Sequence, residues 1–405
     1  MKINDSTFCA APWFQLRNSN LGDYRPCCAI RQEKSKFAGQ IDYKWPTHSP
    51  AEWLNSDYMR YIRQELTNGN RLPECDSCWQ REDHQMISQR QVLNNTITYN
   101  QGDQLDQTWA KSYFNNKTDY AHDLLLITDI KLTNLCNFAC AMCVPEDSTQ
   151  IYSQWKKNKK HPWVIQQLQE NPKYLDQVKQ VYVDKHNHQL LQYAIQKKVR
   201  HIKILGGEPL LDQVALDLLS AVDLDQKKRT SLIIITNGSV DLDSVCQQLG
   251  DFQTIQFIMS LEGIGAVQDY IRKGSSWSMI EKNIDNFLIK YSNSKNNIRI
   301  HHTVQALSLY HLHELVDWCD IKNIKLSTEI LTVPEYMSVA VIPEELRLTC
   351  FQKLIDTHPG LVGSIQKIDY QADLKSQLQD FLTWYDPNGT WQNTFPEWRL
   401  ESQVC

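Results

Sequence analysis

The chain has 405 residues, 41% of them hydrophobic and 22% charged, with a formal net charge of −5. That length and apolar content suit two or three packed domains, and the charge offers no basic footprint for a nucleic-acid partner. The opening Met1-Lys-Ile-Asn-Asp-Ser has no apolar signal core, and no apolar run approaches the roughly 20 residues that cross a bilayer, so a cytoplasmic protein without a membrane partner is expected. Twelve cysteines are many for a reducing compartment. Cys27 and Cys28, Cys75 and Cys78, and Cys136, Cys140 and Cys143 fall in short-spaced groups, with Cys9 upstream of the first, which points to metal rather than disulfides.

Residues 1 to 95 read as a cysteine-bearing unit of their own. It opens on Cys9-Ala-Ala-Pro-Trp13, passes through an expected hairpin at Gly22-Asp-Tyr-Arg-Pro-Cys27-Cys28 and closes on Cys75-Asp-Ser-Cys78. Between them, the apolar spacing from Pro50 to Leu66 predicts a helix that Gly69 stops. Four separated thiolates in such a unit can enclose one metal centre; C-x2-C pairs also build zinc ribbons. Residues 96 to 123 are polar and rich in Asn and Gln, and read as a linker with one packed helix.

The apolar run Leu124 to Leu132 predicts a buried strand, left at Thr133-Asn134. Cys136, Cys140 and Cys143 follow in a C-x3-C-x2-C loop. Three cysteines this close are one short of a closed zinc site, which wants four ligands. They suit a four-iron cluster that leaves one iron open, or a zinc loop that borrows a ligand from elsewhere. From Cys143 to Gly206 the chain is longer than one crossover needs, and Trp155, Trp163, Tyr174, Leu175 and Val178 predict two or more amphipathic helices. The run Lys156 to Lys160 reads as a solvated helix end.

The strand His201 to Leu205 runs into Gly206-Gly207-Glu208-Pro209, where glycines let backbone approach a ligand and a carboxylate can pair with an amine. Further strands are predicted at 232–236, ending in Thr236-Asn237-Gly238, and at 255–260, ending in Ser260-Leu-Glu262-Gly263. Two more follow at 298–304 and 324–330, with helices at 210–222, 279–291 and 311–319 between strands. Alternating strands and helices predict an α/β fold with a parallel sheet, and six strands are enough for a partial (β/α)6 TIM-like barrel with ligands at the C-terminal strand ends. Arg272, in Asp269-Tyr-Ile-Arg-Lys-Gly274, offers a planar fork for a carboxylate. His301 and His302 face opposite sides of their strand, and His302 is taken as the substrate-side residue. Cys246, Cys319 and Cys350 are read as buried thiols, and the tail from 346 to 405 as helical packing or as a cover that closes the substrate cavity.

The three-cysteine loop after a first strand, with Gly206-Gly207-Glu208 one βα unit later, resembles the radical S-adenosylmethionine (radical SAM) enzymes. The resemblance covers residues 124 to 345. It implies that Cys136, Cys140 and Cys143 hold a [4Fe-4S] cluster whose open iron chelates SAM and passes it an electron, releasing a 5′-deoxyadenosyl radical. It further implies SAM contacts from Met142, Gly206, Gly207, Thr236, Asn237, Ser260 and Glu262, with Glu208 on the ammonium and Arg272 on the carboxylate. The pattern in residues 1 to 95 resembles the SPASM or twitch auxiliary-cluster domains that accompany many such enzymes, although in most relatives that module follows the barrel. It implies one auxiliary [4Fe-4S] cluster on Cys9, Cys27, Cys75 and Cys78, with Cys28 the alternative to Cys27. The implied partners are an electron donor such as flavodoxin or ferredoxin and a substrate. Among relatives with auxiliary clusters, peptide or protein side-chain modification is the expectation, and dehydrogenation or rearrangement of a small molecule the alternative. A non-catalytic zinc or iron-sulfur scaffold would make Glu208, Ser260 and Arg272 coincidental.

Overall fold

The structure, a computed structural model, describes residues 6–83, 87–99, 125–157, 162–184, 186–292, 294–352, 354–355, 359–366 and 368–395. The expected linker at 96–123 lies outside the described residues except for 96–99, which end the helix Gln89–Tyr99. In chain order the strands are β1 Gln15–Asn18, β2 Tyr24–Arg25, β3 Ile127–Lys131, β4 Ala139–Cys140, β5 His201–Leu205, β6 Ser231–Thr236, β7 Thr254–Ser260, β8 Arg272–Lys273, β9 Asn297–Val304 and β10 Lys325–Ile330. The chain divides into two units, Met1–Leu132 with Asp184–Ile204, and Thr133–Val183 with Leu205–Cys405.

In the first unit the strand order is β2-β1-β3-β5. The hairpin expected at Gly22 is β1 against β2, antiparallel. Its turn requires glycine: Gly22 has φ +83°, and a Cβ there would meet the Trp45 carbonyl oxygen at 2.6 Å. β1 then runs parallel to β3, with Arg17 opposite Asp129. The helix expected from Pro50 to Leu66 is two helices, Pro50–Leu54 and Asp57–Thr67. Ser56 breaks it, because its side chain accepts the Met59 N–H and starts a new helix. Their packing face carries Trp53, stacked on Tyr24 with ring centroids 5.9 Å apart. Arg63, fully buried beneath them, donates to the carbonyls of Pro12 and Leu54.

Three neighbouring strands place ionic side chains together. Arg17 pairs with Asp129, and Lys203 Nζ lies 3.4 Å from the same carboxylate. Burial alone would raise the Asp129 carboxyl; Lys203 and Arg17 hold it below its usual value. Removing one member of a buried pair strands the other charge.

The second unit holds β6, β7, β9 and β10, adjacent in that order and all parallel. Burial alternates along β9, where Ile298, Ile300, His302 and Val304 are buried and their neighbours partly open. The buried faces receive the crossover helices; Phe257 of β7 meets Phe287 of the helix Trp277–Tyr291 edge to face at 5.6 Å. Each of these four strands begins or ends within about a residue of the expectation, because alternation with helices constrains both ends. The segment after the cysteine loop contributes the helices Thr149–Lys157, Pro162–Glu170 and Tyr174–Asp184 here, and His186–Gln196 in the first unit.

The tail is helical as far as it is described, with Glu344–Gln352, Pro359–Gln366, Asp373–Tyr385 and Trp391–Thr394. Its Ile365, Leu378, Phe381 and Phe395 share one buried cluster with Val304 and Met337. Both units are thus α/β, the second with mainly parallel strands and the first with β1 parallel to β3 and antiparallel to β2. Among the described residues no helix is long and apolar enough to cross a membrane.

Asp129→Ala should cost about 3–5 kcal/mol, since it leaves the buried Arg17 guanidinium without its carboxylate. The measurement is the denaturant midpoint, and an unchanged midpoint would show that the ionic group does not hold these strands.

Candidate cluster and cofactor site

The cysteine loop leaves β3 through Thr133-Asn134 and is fastened at once to the turn after β5. The Gly207 N–H donates to the Thr133 carbonyl and the Glu208 N–H to the Leu135 carbonyl, both at 2.6 Å. Only glycine permits this approach: a Cβ on Gly207 would lie 2.2 Å from the Leu135 oxygen, and Gly206 has φ +136°. Further along, the Cys136 N–H donates to Thr149 Oγ1 at 3.3 Å and Ser148 Oγ donates to the Phe138 carbonyl at 2.7 Å. β4 carries Cys140 into an antiparallel pair with β8, opposite Arg272. Both ends and the middle of the loop are therefore held.

The structure brings the three thiols together. Cys136 Sγ accepts the Phe138 N–H at 3.4 Å and lies 4.0 Å from Asn237 Nδ2; Cys140 Sγ lies 3.8 Å from Arg272 Nη1. Burial raises all three; Cys140 stands at about 11, with Arg272 drawing it down and Cys136 pushing it up, and Cys140 and Cys136 add to the rise at Cys143. Such thiols are stable as thiolates only against strong positive charge. Among the described residues no three His, Cys, Asp or Glu side chains are arranged to hold a single metal ion. A four-iron cluster asks for a different donor set, one thiolate at each iron corner, and the loop offers three.

Glu208 is fully buried and accepts from Thr236 Oγ1 at 2.8 Å, the Asn237 N–H at 2.6 Å and the Leu210 N–H at 3.1 Å. A carboxylate has about four acceptor positions, so one remains for an ammonium group. Asn237 also donates to Asn137 Oδ1 at 2.9 Å. Thr236 and Asn237 thus position Glu208 rather than standing apart from it. Met142 is partly buried against the cluster of Ala141 and Ile271, and Ser260, at the end of β7, is partly exposed.

Glu262 and Arg272 are held differently from the expectation. Arg272 Nη2 donates to Glu262 Oε1 at 2.8 Å, so part of its fork is taken. Its buried Nε has no partner and remains open to an acceptor. Glu262 Oε2 accepts the Thr303 N–H at 3.1 Å, and Gln268 Oε1 accepts the Glu262 N–H at 2.7 Å. Taking His302 as the substrate-side residue is corrected by the structure. His302 is fully buried, with Nδ1 3.0 Å from the Leu261 carbonyl and Nε2 3.2 Å from Ser308 Oγ. A carbonyl only accepts, so Nδ1 carries the proton. His301 is the partly exposed member, 3.2 Å from Ser327 Oγ.

In the first unit, Cys27 feels Cys28, Cys9, Cys75 and Cys78, and burial raises it well above its ordinary value. Burial also raises Cys9, to about 12, as well as Cys75 and Cys78. Cys28 is exposed, which favours Cys27 as the fourth member of this group. The Cys9 segment is fixed by the helix Gln89–Tyr99: Arg90 and Asn94 donate to the Phe8 carbonyl, and the Ala10 N–H donates to Asn94. Sequence spacing did not single out Arg90, Asn94, Asn137 or Gln268, since each acts through a tertiary contact.

Residues 130–314 match the model of the radical SAM superfamily, and the chain therefore carries a radical SAM domain over those residues. That domain supports an enzyme of SAM-dependent radical chemistry, with a four-iron cluster and SAM as the cofactors the family implies. Among solved structures, the chain is similar to one described as the structure of TYW1 with a lysine-pyruvate adduct bound. The identity is 15%, the match covers 57% of this chain and 72% of that one, and the TM-score is 0.30. No curated protein matches the chain.

Burial pushes the Glu208 carboxyl up from 4.5 to about 7, against its three donors. The folded chain then keeps this proton to higher pH than the unfolded chain, so its stabilising effect is full below 4.5 and is lost as pH rises to about 7. In cofactor-free protein, wild type should lose stability relative to Glu208→Gln across that window. A difference that stays constant with pH would show an ordinary carboxyl.

Proposed function

We propose that this chain is a radical SAM enzyme with two four-iron clusters, built on a partial barrel and acting on a peptide or protein side chain. The observation that carries the reading is the fastening of the three-cysteine loop to Glu208 by backbone hydrogen bonds, with Arg272 drawn to Cys140. When bound, the cluster supplies the electron that cleaves SAM, and the cleavage supplies the means of removing a substrate hydrogen.

The chain's own residues bind and orient. Cys136, Cys140 and Cys143 would hold one cluster, with three thiolates for its four irons. Glu208 would use its remaining acceptor position for the SAM ammonium, and Arg272 would offer its unpartnered Nε to the carboxylate. Gly206 and Gly207 keep the floor of the site free of side chains, while Met142, Thr236, Asn237, Ser260 and Glu262 line or brace it. The N-terminal Cys9, Cys27, Cys75 and Cys78 hold the second cluster, closed by four thiolates, in a SPASM or twitch manner. That second group is what favours a peptide or protein substrate. A small electron-transfer protein of the flavodoxin or ferredoxin kind supplies reducing equivalents.

Anaerobically purified protein should carry about eight irons, four per cluster, and replacing Cys136, Cys140 and Cys143 together by Ala should leave about four. Stoichiometric zinc without iron after anaerobic reconstitution would overturn the two-cluster reading.

A further inference from the structure

We propose that the helix Asp373–Tyr385, beyond the matched residues 130–314, is part of the cluster site: Tyr385 positions the cysteine loop, and the aromatic side chains around it screen Cys143 from solvent. The inference rests on the reading that Cys136, Cys140 and Cys143 hold a cluster.

The ladder that carries Cys140 is short. β4 and β8 have two residues each, and a ribbon of that size is not stable by itself. Tyr385 supports it from the side. Its hydroxyl lies 3.2 Å from the Ala139 carbonyl, 3.0 Å from that of Tyr270 and 3.3 Å from that of Ile271, and these residues directly precede Cys140 and Arg272 or stand one further back. The Ala141 N–H donates to the same Ile271 carbonyl at 2.8 Å. The one phenolic proton thus has three acceptors within reach, that of Tyr270 the nearest, at the point where both strands enter the ladder. The ring is fixed in turn, stacked on Phe381 at 5.2 Å and edge to face with Tyr270 at 5.8 Å. Lys273 of β8 closes the arrangement by donating to the Tyr385 carbonyl at 3.2 Å.

The second role comes from a small cavity beside Cys143. Its walls include Trp155, Tyr336, Phe381, Trp384 and Tyr385. Aromatic walls exclude water, and the apolar shell around a metal group controls solvent access to it. Packing alone would be met by phenylalanine at position 385, since it fills nearly the same volume. The hydroxyl, placed among loop carbonyls, is what marks Tyr385 as a positioning residue.

The test is a timed exposure of the anaerobic full chain to an iron chelator, followed by the low-temperature electron paramagnetic resonance signal that SAM perturbs. That signal reports only a cluster with an open iron. Tyr385→Phe should lose it about tenfold faster than wild type, the lower end of the effect of removing a supporting partner. Leu378→Ala, in the same helix and buried in the same apolar cluster, should lower thermal stability more yet keep the wild-type rate of loss. Phe381→Leu, which opens the screen and removes the ring stacked on Tyr385, should also speed the loss, and it carries the test if Tyr385→Phe does not fold. Wild-type rates in Tyr385→Phe and Phe381→Leu, or equal acceleration in Leu378→Ala, would overturn the inference while leaving the cluster reading intact. A wild-type protein with no SAM-perturbed signal would overturn the cluster reading itself.

Discussion

Everything proposed for this chain depends on two short backbone hydrogen bonds, from Gly207 to Thr133 and from Glu208 to Leu135. They tie a loop that carries three thiols to a turn that carries a buried carboxylate. The tie is steric as much as polar, because the 2.2 Å that would separate a Gly207 Cβ from the Leu135 oxygen rules out any other residue. A loop this rich in cysteine would otherwise be free to gather its sulfurs in several ways. Fixed at its root, it presents them in one arrangement relative to Glu208, and binding groups held before a ligand arrives lose less entropy when it does.

The charges around that root are arranged economically. Two buried thiols, the partly buried Cys143 and two buried carboxylates, Glu208 and Glu262, share the region with Arg272, whose guanidinium touches both Cys140 and Glu262. Buried anions without cations are costly. The excess of anionic donors over resident cations is what a cationic cluster core and an ammonium-bearing cofactor would relieve. The first unit shows a related pattern, where the Arg17 and Lys203 cations meet Asp129 and Arg90 meets Glu82 close to the N-terminal cysteines.

Much of the site was legible because its signals are local. The C-x3-C-x2-C loop, the Gly-Gly-Glu turn and the strands that precede them are contiguous, and β5 spans the expected 201–205. Features set by tertiary contact were not legible. The pairing of Glu262 with Arg272 depends on a turn of the chain between them, which spacing alone does not show. For His301 and His302 the alternation of the strand was right and the choice between faces was not, because the face of Ile300 and Val304 is the covered one. One predicted helix became two at Ser56, where a hydroxyl that can cap a helix was read as part of its interior. Tyr385, 246 positions from Ala139, left no trace in the sequence around the cysteines.

The central claim is that the three-cysteine loop and its surroundings perform reductive cleavage of SAM. Its most direct measurement is anaerobic reconstitution with iron and sulfide, followed by incubation with SAM and a strong reductant and chromatography of the products. The account predicts 5′-deoxyadenosine and methionine from wild type, and none when Cys136, Cys140 and Cys143 are replaced by Ala. An intact, reducible cluster that binds SAM and yields no 5′-deoxyadenosine would contradict it.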